Sequence, residues 1–460
     1  MKSVALHNLG CKVNGYEIDV MQQMLQEKGY KIVPFDERAD IYIVNTCTVT
    51  NIADRKSRQM LHKARKMNPD AIVVAAGCYV QTGMEDVIKD SGVDLAIGNN
   101  KKKDLIEILE SYMAKKCLTA EPDEREASGR TAACQEPDIC AKTLNHTTII
   151  DIGHTNEYEK MQLKETSEHT RAYIKIQDGC NQFCSYCIIP YARGRVRSRE
   201  QEDILAEIKG IAEKGCKEAV LTGIHISSYG AERKETGLLA LIEAIHEIDG
   251  LERIRLGSLE PGIVTEEFAR ETAKLPKLCP HFHLSLQSGC DATLKRMNRR
   301  YTTGEYFEKV ELLRSVFDRP AVTTDIIVGF PGETEEEFLA TKAFLEKIKF
   351  YEMHIFKYSK RKGTIAAKME HQIPDEIKTA RSNLLLAMER ADSKDYRGGY
   401  IGQEAEVLFE EEKILEGKRF QIGHTKQYVK AAKQTERSLS NEIIKGKITG
   451  FLTDDIMRME

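Results

Sequence analysis

The chain has 460 residues, enough for two to four domains of ordinary size. A net charge of only −4, with 41% hydrophobic content, excludes a uniform polycation and leaves any nucleic-acid contact to local patches. No apolar run reaches transmembrane length, and residues 1–7 are too short and too broken for a secretory signal. Twelve cysteines without such a signal therefore read as reduced thiols serving as ligands in a reducing cytoplasm rather than as disulfides.

Residues 3–9 read as a strand with Cys11 just beyond it, residues 41–45 as a second followed by Cys47, and residues 71–76 as a third followed by Cys78. Helical patterns at 16–28 and 54–66 lie between them, the second opened by Asn51 or Ala53 and closed by Pro69. Near-continuous apolar strands alternating with helices predict parallel βαβ units, in which ligands sit beyond the carboxyl ends of the strands. Cys11, Cys47 and Cys78 then converge on one sheet edge, where three thiolates suit an iron–sulfur cluster with one iron left open. The helix after Cys47 carries Arg55, Lys56, Arg58, Lys63, Arg65 and Lys66 against Asp54 alone. It is either a solvated face or a phosphate-contacting surface. Residues 117–165 are polar and read as a linker, with Cys134 and Cys140 incidental. Within it, residues 147–152 form an apolar run able to add a strand to either neighbour.

From residue 171 strands and helices alternate regularly. Candidate strands are 172–176, 218–222, 253–256, 283–286, 323–328 and 352–356, separated by helical patterns at 203–214, 238–248, 266–273, 304–316 and 335–348. Six such units predict a partial α/β barrel, whose active groups come from the C-terminal strand ends. The first strand leads into Cys180, Cys184 and Cys187, a C-x3-C-x2-C spacing. Three thiolates so spaced can hold three irons of a cubane and leave the fourth open. Zinc would want a fourth Cys or His close by, and the next His is His225. Later strand ends carry Thr222-Gly223-Ile224-His225, Ser258-Leu259-Glu260, Gln287-Ser288-Gly289 and Gly329-Phe330-Pro331-Gly332-Glu333. The alternating Arg193, Arg195, Arg197 and Arg199 point to one side, toward phosphate or carboxylate partners or toward local acids. Cys216, Cys279 and Cys290 read as non-ligands.

A long helical pattern from residue 375 to about 397 leads to short β-rich segments at 405–409, 420–423, 428–431 and 443–448, which predict a small β-barrel. Between Lys418 and Arg437 six basic residues meet one acid, interleaved with Phe420 and Tyr428. That composition suits single-stranded or loop RNA, and makes Lys418, Arg419, Lys426, Tyr428 and Lys430 the candidate contacts. The acidic stretch 404–416 limits any positive surface to one face, and the alternative is a small barrel docked on the rest of the chain.

The loop Asp178-Gly179-Cys180-Asn181-Gln182-Phe183-Cys184-Ser185-Tyr186-Cys187 resembles that of the radical S-adenosylmethionine enzymes. Leu9-Gly10-Cys11-Lys12-Val13-Asn14-x-x-Glu17, Asn45-Thr46-Cys47-Thr48-Val49-Thr50 and Gly77-Cys78-Tyr79-x-Gln81 resemble the N-terminal domain of its methylthiotransferase subfamily. Gly423-His424-Thr425-Lys426-x-Tyr428-Val429-Lys430 resembles the RNA-binding TRAM module that ends such enzymes, and 354–364 is family-like except that Lys357 stands where Pro is usual. The resemblance implies a methylthiotransferase domain over 1–116, the linker over 117–165, a radical S-adenosylmethionine domain over 166–397 and a TRAM-like module over 398–460. It implies two [4Fe–4S] clusters and S-adenosylmethionine, with Tyr186 near the adenine and with Thr222, Gly223, Glu260 and Gln287 toward the methionine and ribose parts. No side chain is assigned as a catalytic acid or base, because the C2–H of adenine is not acidic. The motifs are most similar to the branch acting on N6-threonylcarbamoyladenosine in tRNA. Other branches act on N6-isopentenyladenosine in tRNA or on an aspartate of a ribosomal protein, and a non-catalytic iron–sulfur RNA-binding protein or electron carrier is the reading from another class. The expected partners are tRNA and a reducing electron donor, with no membrane and a monomeric chain.

Overall fold

A computed structural model describes residues 2–90, 92–119, 147–165, 170–233 and 237–460. Cys134, Cys140 and most of the expected linker lie outside them. The chain groups into two units: Met1–Thr48, Ile52–Ile152 and Glu159–Met161 form the first, and Val49–Asn51, Gly153–Tyr158 and Gln162–Glu460 the second. The expected boundary at 397/398 thus falls inside the second unit.

The first unit runs β1 (Ser3–Asn8), α1 (Lys12–Glu27), β2 (Lys31–Ile32), β3 (Ile41–Thr46), α2 (Asn51–Met67), β4 (Ile72–Gly77), α3 (Cys78–Thr82), α4 (Met84–Lys89), β5 (Leu95–Ile97), α5 (Leu105–Thr119) and β6 (Thr147–Thr148). Its strands form one parallel sheet in the order β2-β1-β3-β4-β5-β6. Every residue of β3 and β4 is buried, which explains their unbroken apolar composition. The pairing of β6 with β5 gives the apolar run within the expected linker to the first unit.

The second unit begins with β7 (Arg171–Lys175), β8 (Gln177–Asp178), α6 (Ile189–Arg193), β9 (Arg197–Ser198), α7 (Gln201–Glu213), β10 (Glu218–Thr222), α8 (Leu238–His246), β11 (Arg253–Leu256), α9 (Glu266–Ala273) and β12 (His281–His283). It continues with α10 (Asp291–Arg296), α11 (Thr303–Val316), β13 (Ala321–Val328), α12 (Glu335–Ile348), β14 (Glu352–Lys357) and α13 (Asp375–Gly398). Parallel sheets β7-β10-β11 and β12-β13-β14 are joined by the parallel bridge Leu259–Leu284, giving the partial barrel. Alternation sorts the side chains. Ala172, Ile174, Ala219, Leu221, Ile254, Phe282, Leu284, Ile326 and Met353 pack with the helices in one core, so their strand neighbours face the barrel interior. Capping boxes at Thr302/Glu305 and Thr334/Glu337 fix the starts of α11 and α12.

The chain ends in β15 (Glu404–Leu415), β16 (Lys418–Thr425), β17 (Lys430–Gln434), β18 (Ile443–Phe451) and β19 (Met457–Met459), a closed barrel in the order β15-β16-β17-β19-β18. The acidic stretch is the outer arm of the β15–β16 hairpin, turned at Glu416 and Gly417, both of positive φ. Tyr428 lies in a turn before β17, not in a strand.

Candidate functional site

In the first unit, β1, β3 and β4 are neighbours, and Cys11, Cys47 and Cys78 each follow the C-terminal end of one of them. Gly10 has φ +109, and a Cβ there would lie 2.9 Å from both Cβ and Sγ of Cys47, so only glycine lets these strand ends approach. Asn14 ties the edge together by donating to the carbonyls of Leu9 (2.7 Å) and Thr46 (3.0 Å). Behind it, Lys102 Nζ and Glu17 form a fully buried ion pair at 2.8 Å. Lys102 also donates to Asn99 Oδ1 at 2.6 Å, and Asn99 Nδ2 reaches Cys78 Sγ at 3.5 Å. The thiol edge therefore rests on a buried polar chain that starts in α1.

In the second unit, the thiol loop leaves β8 through Gly179 at φ +72, where a Cβ would lie 1.8 Å from the Arg195 carbonyl. The carboxylate of Asp178, almost wholly buried, gathers Lys175 (2.7 Å), Arg193 (3.3 Å) and Arg197 (3.8 Å) at the base of the loop. Arg199 pairs with Glu207 at 2.6 Å. This corrects the reading of the arginine run as a ligand-facing row: Arg193, Arg197 and Arg199 are buried structural partners, and Arg195 alone is exposed, over the Phe183 ring. Ser185 anchors the loop to the backbone of Met297 (3.0 Å) and Arg296 (2.8 Å).

Arg299 Nη1 donates to Cys184 Sγ at 3.2 Å, and its other end lies 3.6 Å from Glu260. Burial, with a smaller contribution from the nearby Cys184, pushes the Cys180 thiol up to about 11 and the Cys187 thiol up to about 12. Cys180 and Cys187, with one guanidinium nearby, thus favour the neutral thiol. As thiolates they need several positive charges, which an iron–sulfur cluster supplies, so the donor set fits that group.

The strand ends ring this loop. Glu260 accepts from Gln182 Nε2 at 2.7 Å and lies 3.0 Å from His225 Nε2. Burial alone would raise the Glu260 carboxyl, but the His225 hydrogen bond and the Arg299 charge outweigh it and hold it below the usual carboxylate range. Thr222 ends β10, and a Cβ at Gly223 would meet the Gln177 carbonyl at 2.9 Å. Gln287, at φ +72, bridges to Ile326. A mainly apolar cavity of about 270 Å³ is lined by Tyr186, Cys187, Ile188, Gln287, Ile327 and Phe356 among others. Glu333 pairs with Arg381 on α13 at 2.7 Å.

In the terminal barrel, two of the expected RNA contacts also make contacts within the chain. The Tyr428 ring stacks on His424 (4.5 Å between centroids) and on His281 (5.1 Å), with the Arg171 and Arg255 guanidiniums over it. Lys426 donates to the Pro276 carbonyl at 3.0 Å. Both residues, half-buried, make contacts that dock the barrel on the start of the half-barrel strands. Arg253 caps the carbonyls of His424 (2.8 Å) and Glu406 (3.0 Å), while Arg255 caps that of Lys426 (2.8 Å) and pairs with Glu218 at 2.6 Å. Lys418 and Arg419 remain exposed, and Lys430 is half-buried. In α2, Arg65 closes the helix C-terminus on Asp94 and the carbonyls of Pro69 (2.9 Å) and Ala71 (2.8 Å), whereas Arg55, Lys56 and Lys66 are exposed.

A partial α/β barrel carrying a three-thiol loop on its first strand defines a radical S-adenosylmethionine enzyme. The Radical SAM superfamily model matches residues 174–345, and the model described as uncharacterized protein family UPF0004 matches residues 3–98. The threonylcarbamoyladenosine tRNA methylthiotransferase MtaB of Bacillus subtilis (strain 168) is 36% identical, over 97% of this chain and 94% of its own. The tRNA-2-methylthio-N(6)-dimethylallyladenosine synthase of Thermoanaerobacter sp. (strain X514) is 35% identical, over 88% of this chain and 81% of its own. Among solved structures, the radical S-adenosylmethionine methyltransferase TsrM of Kitasatospora setae shares the fold, with TM-score 0.53 and 18% identity over 77% of this chain and 72% of that one. The chain belongs to the radical S-adenosylmethionine methylthiotransferase family, whose cofactors are S-adenosylmethionine and two [4Fe–4S] clusters. No helix among the described residues is long and apolar enough to cross a membrane.

Proposed function

We propose that the protein places a methylthio group on C2 of N6-threonylcarbamoyladenosine at position 37 of tRNA, beside the anticodon. The observation that carries the reading is the pair of thiol trios, one at the ends of β1, β3 and β4 and one on the loop after β8. The choice of nucleoside is supported by the 36% identity to the Bacillus enzyme across 97% of the chain, together with the Gly10–Glu17 and Asp178–Cys187 motifs. Cys180, Cys184 and Cys187 would hold the cluster that works with S-adenosylmethionine, and Cys11, Cys47 and Cys78 the second. When bound, these groups supply one-electron chemistry that can replace an unacidified C–H, together with the sulfur and the methyl group. The chain's own residues bind, orient and exclude water. The wall formed by Tyr186 and Phe356 suits a flat ring, while Thr222, Gly223, Glu260 and Gln287 offer polar contacts for the methionine and ribose parts. Domain limits of 1–116, 166–397 and 398–460 go with this reading, as do a cytoplasmic setting, a low-potential electron donor and a monomeric enzyme.

Nucleoside analysis of tRNA from cells with and without the gene tests it. Deletion should remove the 2-methylthio form of the threonylcarbamoyl nucleoside and leave its unmodified parent. Loss of the dimethylallyl counterpart instead would assign the other branch. Cys47→Ala should still cleave S-adenosylmethionine and make no methylthio product; an unchanged product yield would remove Cys47 from the second cluster.

A further inference from the structure

We propose that His283, Asp325 and His354, on the inner face of the half-barrel, bind a divalent first-row cation of the Zn2+ class, separate from the two cysteine trios. Phe282, Leu284, Ile326 and Met353 all belong to the helix-facing core. Alternation therefore turns His283, Asp325 and His354 inward from three adjacent strands. Asp325 and His354 are register partners, and one donor atom from each of the three residues lies within 4.8 Å of the others. The rings of His283 and His354 are 5.6 Å apart at 25°.

The spacing of the donor atoms has room for a shared ion. His283 Nε2 lies 3.3 Å from Asp325 Oδ2. That is longer than the ~2.7–2.9 Å of a charge-assisted hydrogen bond. It equals the ~3.3 Å separating two ligands of a tetrahedral ion bound at roughly 2.0–2.1 Å. His283 Nδ1 meets Thr323 Oγ1 at 2.9 Å, the outer hydrogen bond that orients a ligating imidazole and presents its other nitrogen. Asp325 has no Lys or Arg partner among the described residues, so its charge is free to meet a cation. Two imidazoles and one carboxylate leave coordination positions open for oxygen ligands, and Asp325 borders the cavity that also touches Cys187.

The test uses anaerobically reconstituted protein with both clusters loaded, incubated with Zn2+ and desalted, after which zinc and iron are counted together. One zinc per chain should accompany full iron, and His354→Ala and Asp325→Asn should lose the zinc with iron unchanged. His354 is exposed, so its removal leaves packing intact. Thr323→Val, which removes no ligand, should weaken Zn2+ binding roughly ten- to a hundredfold. Absence of zinc in the parent protein, or equal zinc in all variants at equal iron, overturns the site.

Discussion

Arg299 donates to the Cys184 sulfur at 3.2 Å while remaining almost fully enclosed. A guanidinium so placed favours the more negative state of whatever the thiolate holds. Arg299→Leu should therefore lower the midpoint potential of the loop's cluster. Taking a buried charged hydrogen bond as about 1.5–3 kcal/mol, the shift is on the order of 65–130 mV. Arg299→Lys should recover part of it. Spectroelectrochemical titration of the reconstituted protein measures both, and equal potentials in parent and Leu variant would detach Arg299 from the cluster.

The Glu17–Lys102 pair, fully buried, supports the first thiol edge. Lys102→Met strands the Glu17 charge and should cost roughly 3–5 kcal/mol, whereas the double change Glu17→Met with Lys102→Met should recover most of the loss. Urea unfolding of the single and double variants gives the comparison. A double variant no more stable than Lys102→Met would mean that the pair is not what the edge rests on.

His424 and Glu410 meet at 2.9 Å where the terminal barrel docks. Burial lowers the His424 pKa despite the carboxylate beside it. Glu410 is held below the usual carboxylate range, burial opposing and the His424 hydrogen bond with Arg171 prevailing. Both groups bind protons less readily when folded, so stability is present at neutral pH and is lost as pH falls, first below the free-histidine value near 6.5 and then through the carboxylate range. His424→Asn should flatten the decline in melting temperature between about pH 7 and pH 4. An unaltered slope would exclude this pair as its source.

If the exposed face of the terminal barrel touches tRNA, Lys418, Arg419 and Lys430 are the residues that meet its phosphates. Replacing them with Ala should weaken tRNA binding and reduce the salt slope by roughly 0.7 for each phosphate no longer neutralised. Tyr428→Ala and Lys426→Ala should leave that slope alone. Tyr428→Ala should instead cost about 2–4 kcal/mol of stability, because the ring no longer stacks on the histidines or attracts the two guanidiniums. Filter binding across a salt series, with thermal melts, separates the two groups.

The strand-then-cysteine rhythm of the first hundred residues was legible because buried parallel strands leave unbroken apolar runs, as in β3 and β4, and the chain turns immediately after them. Strand ends at Glu260 and Gln287 were legible for the same reason. Arg299 was not: it sits in an irregular stretch after α10 and meets Cys184 only through the tertiary fold, 115 residues away in sequence. Asp178, the partner of Arg193 and Arg197, lies upstream of the arginine run, while the obvious acids, Glu200 and Asp203, lie downstream. The packing of Tyr428 and Lys426 against the half-barrel was not legible, because a basic, aromatic segment has the same composition whether or not it packs against another part of its own chain.

That packing has a consequence for how the gene can be cut. Arg253 and Arg255, the one fully buried and the other nearly so, find acceptors in backbone carbonyls between Glu406 and Lys426, Arg255 also in the Glu218 carboxylate. Truncation after α13 would deprive both guanidiniums, at the open foot of the half-barrel, of their carbonyl acceptors, leaving Arg255 only Glu218. The last sixty-odd residues are thus a keystone, not a detachable tail, and a shortened clone should yield insoluble protein well before the question of RNA arises.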